Sequence, residues 1–241
     1  MDETRSVDLS VEVPGTPEEV WETIATGPGL SVWFVPTDIE GDTVTMHHGM
    51  LDQVGTITAW QPPRRWALGL GEFSPPGTDA PPLELALEIV VEARSGDRCV
   101  VRLVNSGFGG GADWDRQFES SSVGWERCLE ILRLYLTHFR GLPHATAHAA
   151  TASSLEPAEA FAELRTLEGA PTFVGTVDTE GDVSLTMVLD EPAPGIGVLA
   201  VGGPGNEVYK TVSLSLFGDE AAAVAARVEP EWQAWLAQSG R

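Results

Sequence analysis

The sequence predicts an α+β protein in which a curved antiparallel sheet wraps around one long helix, followed by a second, smaller α+β domain. Three observations support this prediction. Apolar and polar residues alternate strictly from Ser6 to Val13, the pattern of a half-buried strand. Further alternating segments continue to Asn105. From Asp113 to Phe139, apolar residues then recur at three- and four-residue steps, as in an amphipathic helix that covers a broad apolar surface.

The first helix is predicted directly after the first strand. Thr16 can cap this helix, Pro17 suits its first turn, and Glu19 completes a capping box. The stretch Gly27-Pro28-Gly29 is predicted to end it, because glycine and proline interrupt helices. A short second helix is predicted over residues 30–34.

Alternation and turn residues predict the remaining strands of the first domain, over residues 39–42, 43–48, 56–60, 65–70, 83–91 and 99–105. Pro62 and Pro63 are confined to a turn, because proline cannot donate a hydrogen bond to a central ladder. Residues 107–111 form a glycine-rich loop before the long helix, and we expect this loop to be flexible enough for Phe108 to swing at a cavity mouth.

A domain boundary is predicted between residues 1–143 and 144–241, because residues 143–154 are rich in Ala, Thr and Ser. Beyond it the pattern partly restarts, since Pro157-Ala158-Glu159-Ala160-Phe161 echoes the helix start at residues 17–21. Strand-like runs and a closing helix over residues 219–238 follow. We therefore predict that residues 144–241 are a shortened, diverged copy of the first domain.

Composition argues against several functions. Lys and Arg total 14 against 36 Asp and Glu, a net charge near −22, which repels nucleic-acid backbones and anionic membrane surfaces. The only cysteines, Cys99 and Cys128, have no CxxC spacing, so neither a disulfide framework nor a structural zinc site is expected. The chain shows no signal-peptide pattern and no apolar run long enough for a membrane span. We therefore expect a cytoplasmic protein that binds neither nucleic acid nor membrane.

Four segments in order resemble a known family: TPEEVWETI, GLSVWF, GTITAWQPPRRWAL and GWERCLEILRLYLTHF. Together they resemble the SRPBCC (START-like) superfamily, and within it the bacterial homologues of the activator of the heat-shock protein 90 ATPase. The resemblance covers about residues 5–141. It implies a helix-grip fold, in which the sheet holds the terminal helix with a hydrophobic cavity between them. It also implies binding of apolar or amphipathic small molecules, with some branches acting as cyclases, hydratases or co-chaperones.

Large aromatic residues are concentrated in the first domain. In the wall of a cavity, such rings can bury a ligand, and the indole N–H groups of tryptophans can orient it. Most of them are expected to pack in the core individually. Trp33, Trp66 and Trp125 are the strongest lining candidates, because they lie on the inward faces of three different elements. The full predicted lining is Trp21, Trp33, Phe34, Met46, His48, Trp66, Leu68, Asn105, Phe108, Phe118, Trp125 and Leu129. Glu40 and Glu72, near strand ends, are carboxylates that could also reach a cavity.

The adjacent histidines in TMHHGM raise the question of a metal site. On a strand, neighbouring side chains point to opposite faces, so His47 and His48 cannot chelate one ion. His47 falls with the threonines on the wet face. His48 falls with Val44 and Met46 on the apolar face, where it is either a core histidine or a polar group inside the cavity, with Asn105 as a candidate partner.

These patterns leave three functions open. The first is binding of a small apolar ligand, with no cofactor, no metal and no catalytic residue. The second is a co-chaperone-like or regulatory interaction module that uses the acidic surface to meet a basic protein partner. The third is a cyclase- or hydratase-type enzyme in which His48 moves a proton together with Asn105 or a carboxylate. The sequence gives no nucleophile–base pair that would make it an enzyme, and it allows a monomer or a homodimer.

Overall fold

The computed structural model of the chain describes residues 4–48, 52–203 and 207–239. It divides into two compact units, Met1–His138 and Phe139–Arg241. The division thus falls at the end of the long helix rather than at residue 143. No helix in the described part of the chain is both long and apolar enough to cross a membrane.

The described residues of the first unit form a seven-stranded antiparallel sheet and three helices. The elements in chain order are β1 (Arg5–Pro14), α1 (Pro17–Ile24), α2 (Gly27–Trp33), β2 (Thr37–Glu40), β3 (Thr43–His47), β4 (Asp52–Gln61), β5 (Arg65–Phe73), β6 (Leu83–Arg94), β7 (Arg98–Phe108) and α3 (Ala112–His138). The strands lie in the order β1-β7-β6-β5-β4-β3-β2, and α3 packs against β1 and β7. This confirms the predicted helix-grip arrangement.

The first helix begins with the capping box that the sequence predicts. The Thr16 hydroxyl accepts a hydrogen bond from the Glu19 backbone N–H at 3.3 Å, and the Glu19 carboxylate accepts one from the Thr16 N–H at 2.9 Å. This capping box satisfies donors that the first helical turn leaves free. The prediction that residues 27–29 only end a helix was wrong. They open α2, because Thr26 caps it by accepting a hydrogen bond from the Gly29 N–H at 3.1 Å.

The glycine-rich loop after β7 is held in place, contrary to the expectation that it frees Phe108 to swing. Phe108 is the last residue of β7 and is fully buried. The Gly109 carbonyl accepts two hydrogen bonds from the Arg5 guanidinium, at 2.7 and 3.1 Å. A side chain at Gly107 would approach the Glu84 carbonyl oxygen to 2.1 Å. Glycine is needed here for close packing rather than for mobility.

The described residues of the second unit form a five-stranded antiparallel sheet and two helices. The elements are β8 (His144–Ser153), α4 (Pro157–Leu164), β9 (Val174–Glu180), β10 (Ser184–Glu191), β11 (Gly195–Gly202), β12 (Val208–Phe217) and α5 (Ala221–Ser239). The strand order is β8-β12-β11-β10-β9, so the first and last strands are neighbours, as in the first unit. The topology matches a helix-grip fold with two strands fewer, while the descent from a duplicated domain stays a prediction.

Residues 143–154, whose composition suggested a domain boundary, contain β8. Alanine has a low propensity for β-strands, so the sequence pattern did not predict β8. On the buried face, Ala147 and Ala149 allow α5 to pack closely against the strand. From α5, the Gln233 side chain exchanges two hydrogen bonds with the Ala150 backbone, at 3.0 and 3.2 Å, and Glu229 accepts one from the His148 N–H at 3.1 Å. These bonds satisfy the free edge of the sheet.

Candidate functional site: an open cavity in the first unit

The first unit contains an open cavity of about 860 Å³ between α3 and the inner face of the sheet. This volume lies in the range of roughly 300–1,000 Å³ typical of small-molecule sites. The wall combines aromatic and aliphatic side chains with a few polar groups. The lining residues are Phe34, His48, Asp52, Gln53, Val54, Leu70, Gly71, Glu72, Phe73, Leu85, Asn105, Gln117, Ser120, Ser121, Gly124, Trp125 and Cys128.

Trp125 forms the centre of the aromatic wall. Its ring stacks on Phe34 with centroids 4.8 Å apart, and the His48 ring meets Phe34 edge-on at 5.7 Å. Buried Asn105 fixes the indole: its Oδ1 accepts a hydrogen bond from Trp125 Nε1 at 3.1 Å, while its Nδ2 donates to the Ala86 carbonyl at 3.0 Å. Asn105 thereby connects α3 to two strands and holds Trp125 in a single orientation.

Beneath this wall, the interior is closed by side chains. The remaining void there measures about 10 Å³, which is room for no more than about one water molecule. Its lining includes six of the predicted residues. Phe34 and Trp125 also line the open cavity, whereas four line only this void and are buried: Trp33, Met46, Trp66 and Leu68. The Trp33 indole donates to the Thr23 carbonyl at 3.1 Å, which anchors α2 to α1. These four residues form a packed floor, and the open volume lies above it.

Four other predicted lining residues lie outside the open cavity and its floor. Trp21 packs edge-on against Trp60, with ring centroids 5.0 Å apart. Phe108 and Phe118 contact one another at 5.5 Å, and the Arg5 guanidinium lies 4.7 Å from the Phe118 ring. Leu129 is buried in the core. Trp21, Phe108 and Leu129 are therefore core residues, whereas Phe118 is half-buried.

Sequence analysis missed the cavity-facing stripe of α3, which consists of Gln117, Ser120, Ser121, Gly124 and Cys128. Apart from the adjacent Ser120 and Ser121, these residues are spaced three or four positions apart, so they share one helix face. All are small or polar, and for this reason they keep the space open. The signal that could have revealed the stripe is the run Ser120-Ser121-Ser122 with Gly124, an unusual set of weak helix formers inside a long helix.

A β-bulge in β5 shapes the opposite wall. The pairing of β5 with β6 shifts between Gly69 and Gly71, and Gly71 adopts a positive φ of 72° that favours glycine. After the bulge, consecutive residues from Leu70 to Phe73 all contribute to the lining, which strict strand alternation would not allow. Glu72 is among them, as its place near a strand end suggested, whereas Glu40 is not part of the lining.

His48 requires a correction. It lies just beyond the end of β3, exposed at the cavity rim, rather than on the buried strand face with Val44 and Met46. Its side chain is hydrogen-bonded with Gln53, and the Asn105 side chain bonds Ala86 and Trp125, so the predicted His48–Asn105 pair is not formed. Partial desolvation by the rim lowers the pKa of His48, while the Gln53 bond acts in the opposite direction. The ring is therefore neutral at pH 7.

His47 occupies the wet face, as alternation predicts, and joins three strands. Its Nδ1 lies 2.8 Å from Asp52 Oδ1 on β4, and its Nε2 lies 3.1 Å from Asp38 Oδ2 on β2. Both contacts are hydrogen bonds only when both ring nitrogens carry protons. The bonds to Asp52 and then Asp38 raise the pKa of His47 above the usual value for histidine.

We expect a His47→Gln variant to be less stable than the wild type below about pH 6 and equally stable near about pH 9. A raised pKa in the folded state means that protonated His47 stabilises the fold at low pH, and this contribution is lost as pH rises through the folded pKa. Thermal unfolding across this pH range measures the difference. A gap between variant and wild type that stays constant with pH would contradict the ion-pair assignment.

Neither cysteine of the first unit is an activated nucleophile. Desolvation raises the pKa of the Cys128 thiol to about 12, so the thiol stays protonated at neutral pH and is a poor nucleophile. Cys99 is buried, and its Sγ donates to the Gly15 carbonyl. Among the described residues, no group of three His, Cys, Asp or Glu side chains lies where it could hold a metal ion. The cavity is suited to binding through shape, aromatic contact and a few hydrogen bonds.

The seven-stranded sheet closed by α3, with an open cavity between them, defines the first unit as a helix-grip domain. No protein-family model matches the chain, and no curated protein matches it. Solved structures similar to it include the di-domain ARO/CYC BexL of the BE-7585A biosynthetic pathway, at 15% identity and a TM-score of 0.46. That match covers 98% of this chain and 93% of BexL.

Two shorter structures are similar to a little more than half of the chain. CalU16 from Micromonospora echinospora matches at 19% identity and a TM-score of 0.45, covering 56% of this chain and 78% of CalU16. The Aha1 dimer from Colwellia psychrerythraea matches at 15% identity and a TM-score of 0.42, covering 55% and 96%. These are likenesses of fold, and no ligand, partner or residue role is transferred from them.

Proposed function

We propose that this protein binds a small apolar or amphipathic molecule in the open cavity of its first unit. The observation that carries the proposal is a cavity of about 860 Å³ whose wall keeps Trp125, Phe34, Leu70 and Leu85 next to open space. In a core that only packs, large side chains would fill such a volume. Here the floor below is closed to about 10 Å³, while the space above it stays open.

The polar groups around the cavity suit an amphipathic ligand. Gln117, Ser120 and Ser121 on α3 and Gln53 on β4 supply hydrogen-bond donors and acceptors, while the aromatic wall supplies contact with an apolar body. Because Asn105 fixes the Trp125 indole, the wall is preorganised, which reduces the entropy lost when a ligand binds.

The decisive variant is Gly124→Phe. Gly124 lines the cavity, and a side chain there meets no atom within 4 Å of its Cβ, so a phenyl group enters open space without disturbing the helix. We expect at least about tenfold weaker binding of a neutral solvatochromic dye, which corresponds to roughly 1.4 kcal/mol. Stability should be unchanged or slightly higher, since glycine is a weak helix former.

The matched control is Val123→Phe, which places the same ring on the neighbouring residue, whose side chain is 46% exposed and does not line the cavity. This variant should bind the dye as the wild type does. The proposal fails if the wild type shows no saturable binding. It also fails if both variants bind the dye equally well.

The enzyme alternative loses its main support, because His48 and Asn105 are engaged with different partners. An interaction with a basic protein partner rests on the acidic composition, and stays a prediction that a salt-dependent pull-down can test. Assembly as a monomer or a homodimer likewise stays a prediction.

A further inference from the structure

We propose that the mouth of this cavity selects a positively charged head group, so that its ligand is a cationic amphiphile such as a protonated or quaternary amine rather than a fatty acid. This inference rests on the ligand-binding function proposed above and specifies the class of ligand.

The first support is the set of charges in the wall. The described lining contains the carboxylates Asp52 and Glu72 and neither lysine nor arginine. An anionic head group entering here would find no opposite charge to offset its desolvation, which is costly for an unpaired ion. A cation would find a carboxylate at the rim and apolar surface for its chain below.

The second support is that Glu72, which lines the mouth, and its cross-strand neighbour Glu84, which does not, are two carboxylates without a cationic partner among the described residues. Glu72 on β5 lies directly opposite Glu84 on β6 in the strand pairing, just after the bulge at Gly71. Like charges directly opposite on neighbouring strands destabilise a sheet. In the described part of the chain, neither carboxylate has a lysine, arginine or histidine within salt-bridge distance. A ligand cation beside Glu72 would relieve this repulsion.

The other ionisable groups near the cavity do not reverse the negative charge of its lining. Asp52 lies 2.8 Å from His47, which also contacts Asp38 at 3.1 Å, so these three groups add no net positive charge beside the lining. His48 is neutral at pH 7, and the Cys128 thiol stays protonated. Glu72 is therefore the lining carboxylate that has no cationic side chain beside it among the described residues.

The third support is the aromatic surface next to Glu72. Phe73 follows it directly in the lining, and Trp125 stands on the opposite wall. Aromatic faces attract ammonium groups through their quadrupole, and aromatic rings commonly recognise quaternary ammonium ligands. The Glu72 carboxylate and these rings lie in one cavity of this chain.

The test uses three probes that share a dodecyl chain and differ in head group: dodecyltrimethylammonium, dodecyl maltoside and dodecyl sulfate. Each probe is tested for displacement of the neutral dye from the 241-residue chain at low ionic strength, at probe concentrations below those that form micelles. Because the rim carboxylates are exposed, we expect a moderate preference, with the cation binding about 3–10-fold tighter than the anion. The preference should shrink near about 0.5 M salt, where the charges are screened.

Glu72→Gln should bring cation and anion to within about twofold of one another, while binding of the neutral probe is unchanged. Glu22→Gln, an equal charge change on exposed α1 outside the cavity, should keep the wild-type preference. If the dye does not bind to the wild type, and no probe therefore displaces it, the proposed ligand-binding function is refuted. If the neutral probe binds but the anion equals or exceeds the cation, or if Glu72→Gln changes nothing, the charge selection is overturned and the binding function stands.

Discussion

Replacement of Trp33 by alanine is expected to lower the free energy of unfolding of the first unit by about 3–5 kcal/mol. Trp33 is 1% exposed, lies on the cavity floor, and donates its indole N–H to the Thr23 carbonyl at 3.1 Å. Alanine removes the apolar contact, leaves a void that the surrounding helices and strands cannot close, and orphans a buried carbonyl. The result is a large loss because both the packing and the hydrogen-bond contributions disappear together.

Urea unfolding followed by tryptophan fluorescence measures this effect, since six of the eight tryptophans lie in the first unit. The control is Trp60→Ala, because Trp60 is 44% exposed and should cost less than half as much. Equal losses in the two variants would show that Trp33 is not part of a packed floor.

The second large effect is expected at Asn105. Asn105→Leu keeps the size of the side chain but leaves the Trp125 indole N–H and the Ala86 carbonyl without their partner. Unsatisfied buried polar groups cost roughly 1–3 kcal/mol each, so we expect a loss of about 2–4 kcal/mol. Dye affinity should fall as well, because Trp125 is no longer held in the orientation that lines the cavity.

A double-mutant cycle separates the hydrogen bond from general disruption. In a Trp125→Phe background the indole N–H is absent, so Asn105→Leu should cost about 1–2 kcal/mol less than it does in the wild type. Additive losses would mean that the 3.1 Å contact between Trp125 and Asn105 contributes nothing to stability.

The sequence predicted the framework of the first unit well, because local chemistry determines it. Strict alternation from Ser6 to Val13 became β1, the Thr16–Glu19 capping box started α1, and Pro62 and Pro63 lie in the turn between β4 and β5. These patterns depend on neighbours a few residues apart, so they do not require knowledge of the tertiary structure.

The features that define the cavity depend on contacts between distant segments. Nothing local distinguishes Trp125, which faces open space, from Leu129 one turn later, which is buried in the core. The bulge at Gly71 turned Glu72 into a lining residue, and the end of β3 placed His48 at the rim instead of on the buried face. Each result depends on strand register, which alternation alone does not fix.

In the second unit, too, one element could not be predicted because it depends on contacts between distant segments. Its strands from β9 to β12 follow recognisable apolar runs, but β8 is rich in alanine and resembles a linker in composition. Its place in the sheet comes from pairing with β12 and from the cover that Gln233 and Glu229 provide on α5. A partner more than fifty residues away in the chain therefore decides its structure.

The most direct test of ligand binding in the cavity is a crystal structure of the full chain with a dodecyl compound that carries bromine at the end of its chain. Anomalous scattering locates the bromine independently of any interpretation of weak density. We expect one dominant bromine site inside the cavity, between Trp125 and the wall formed by Leu70 and Leu85. A saturated crystal in which the cavity holds no bromine, or in which the bromine lies only on the outer surface of either unit, would contradict it.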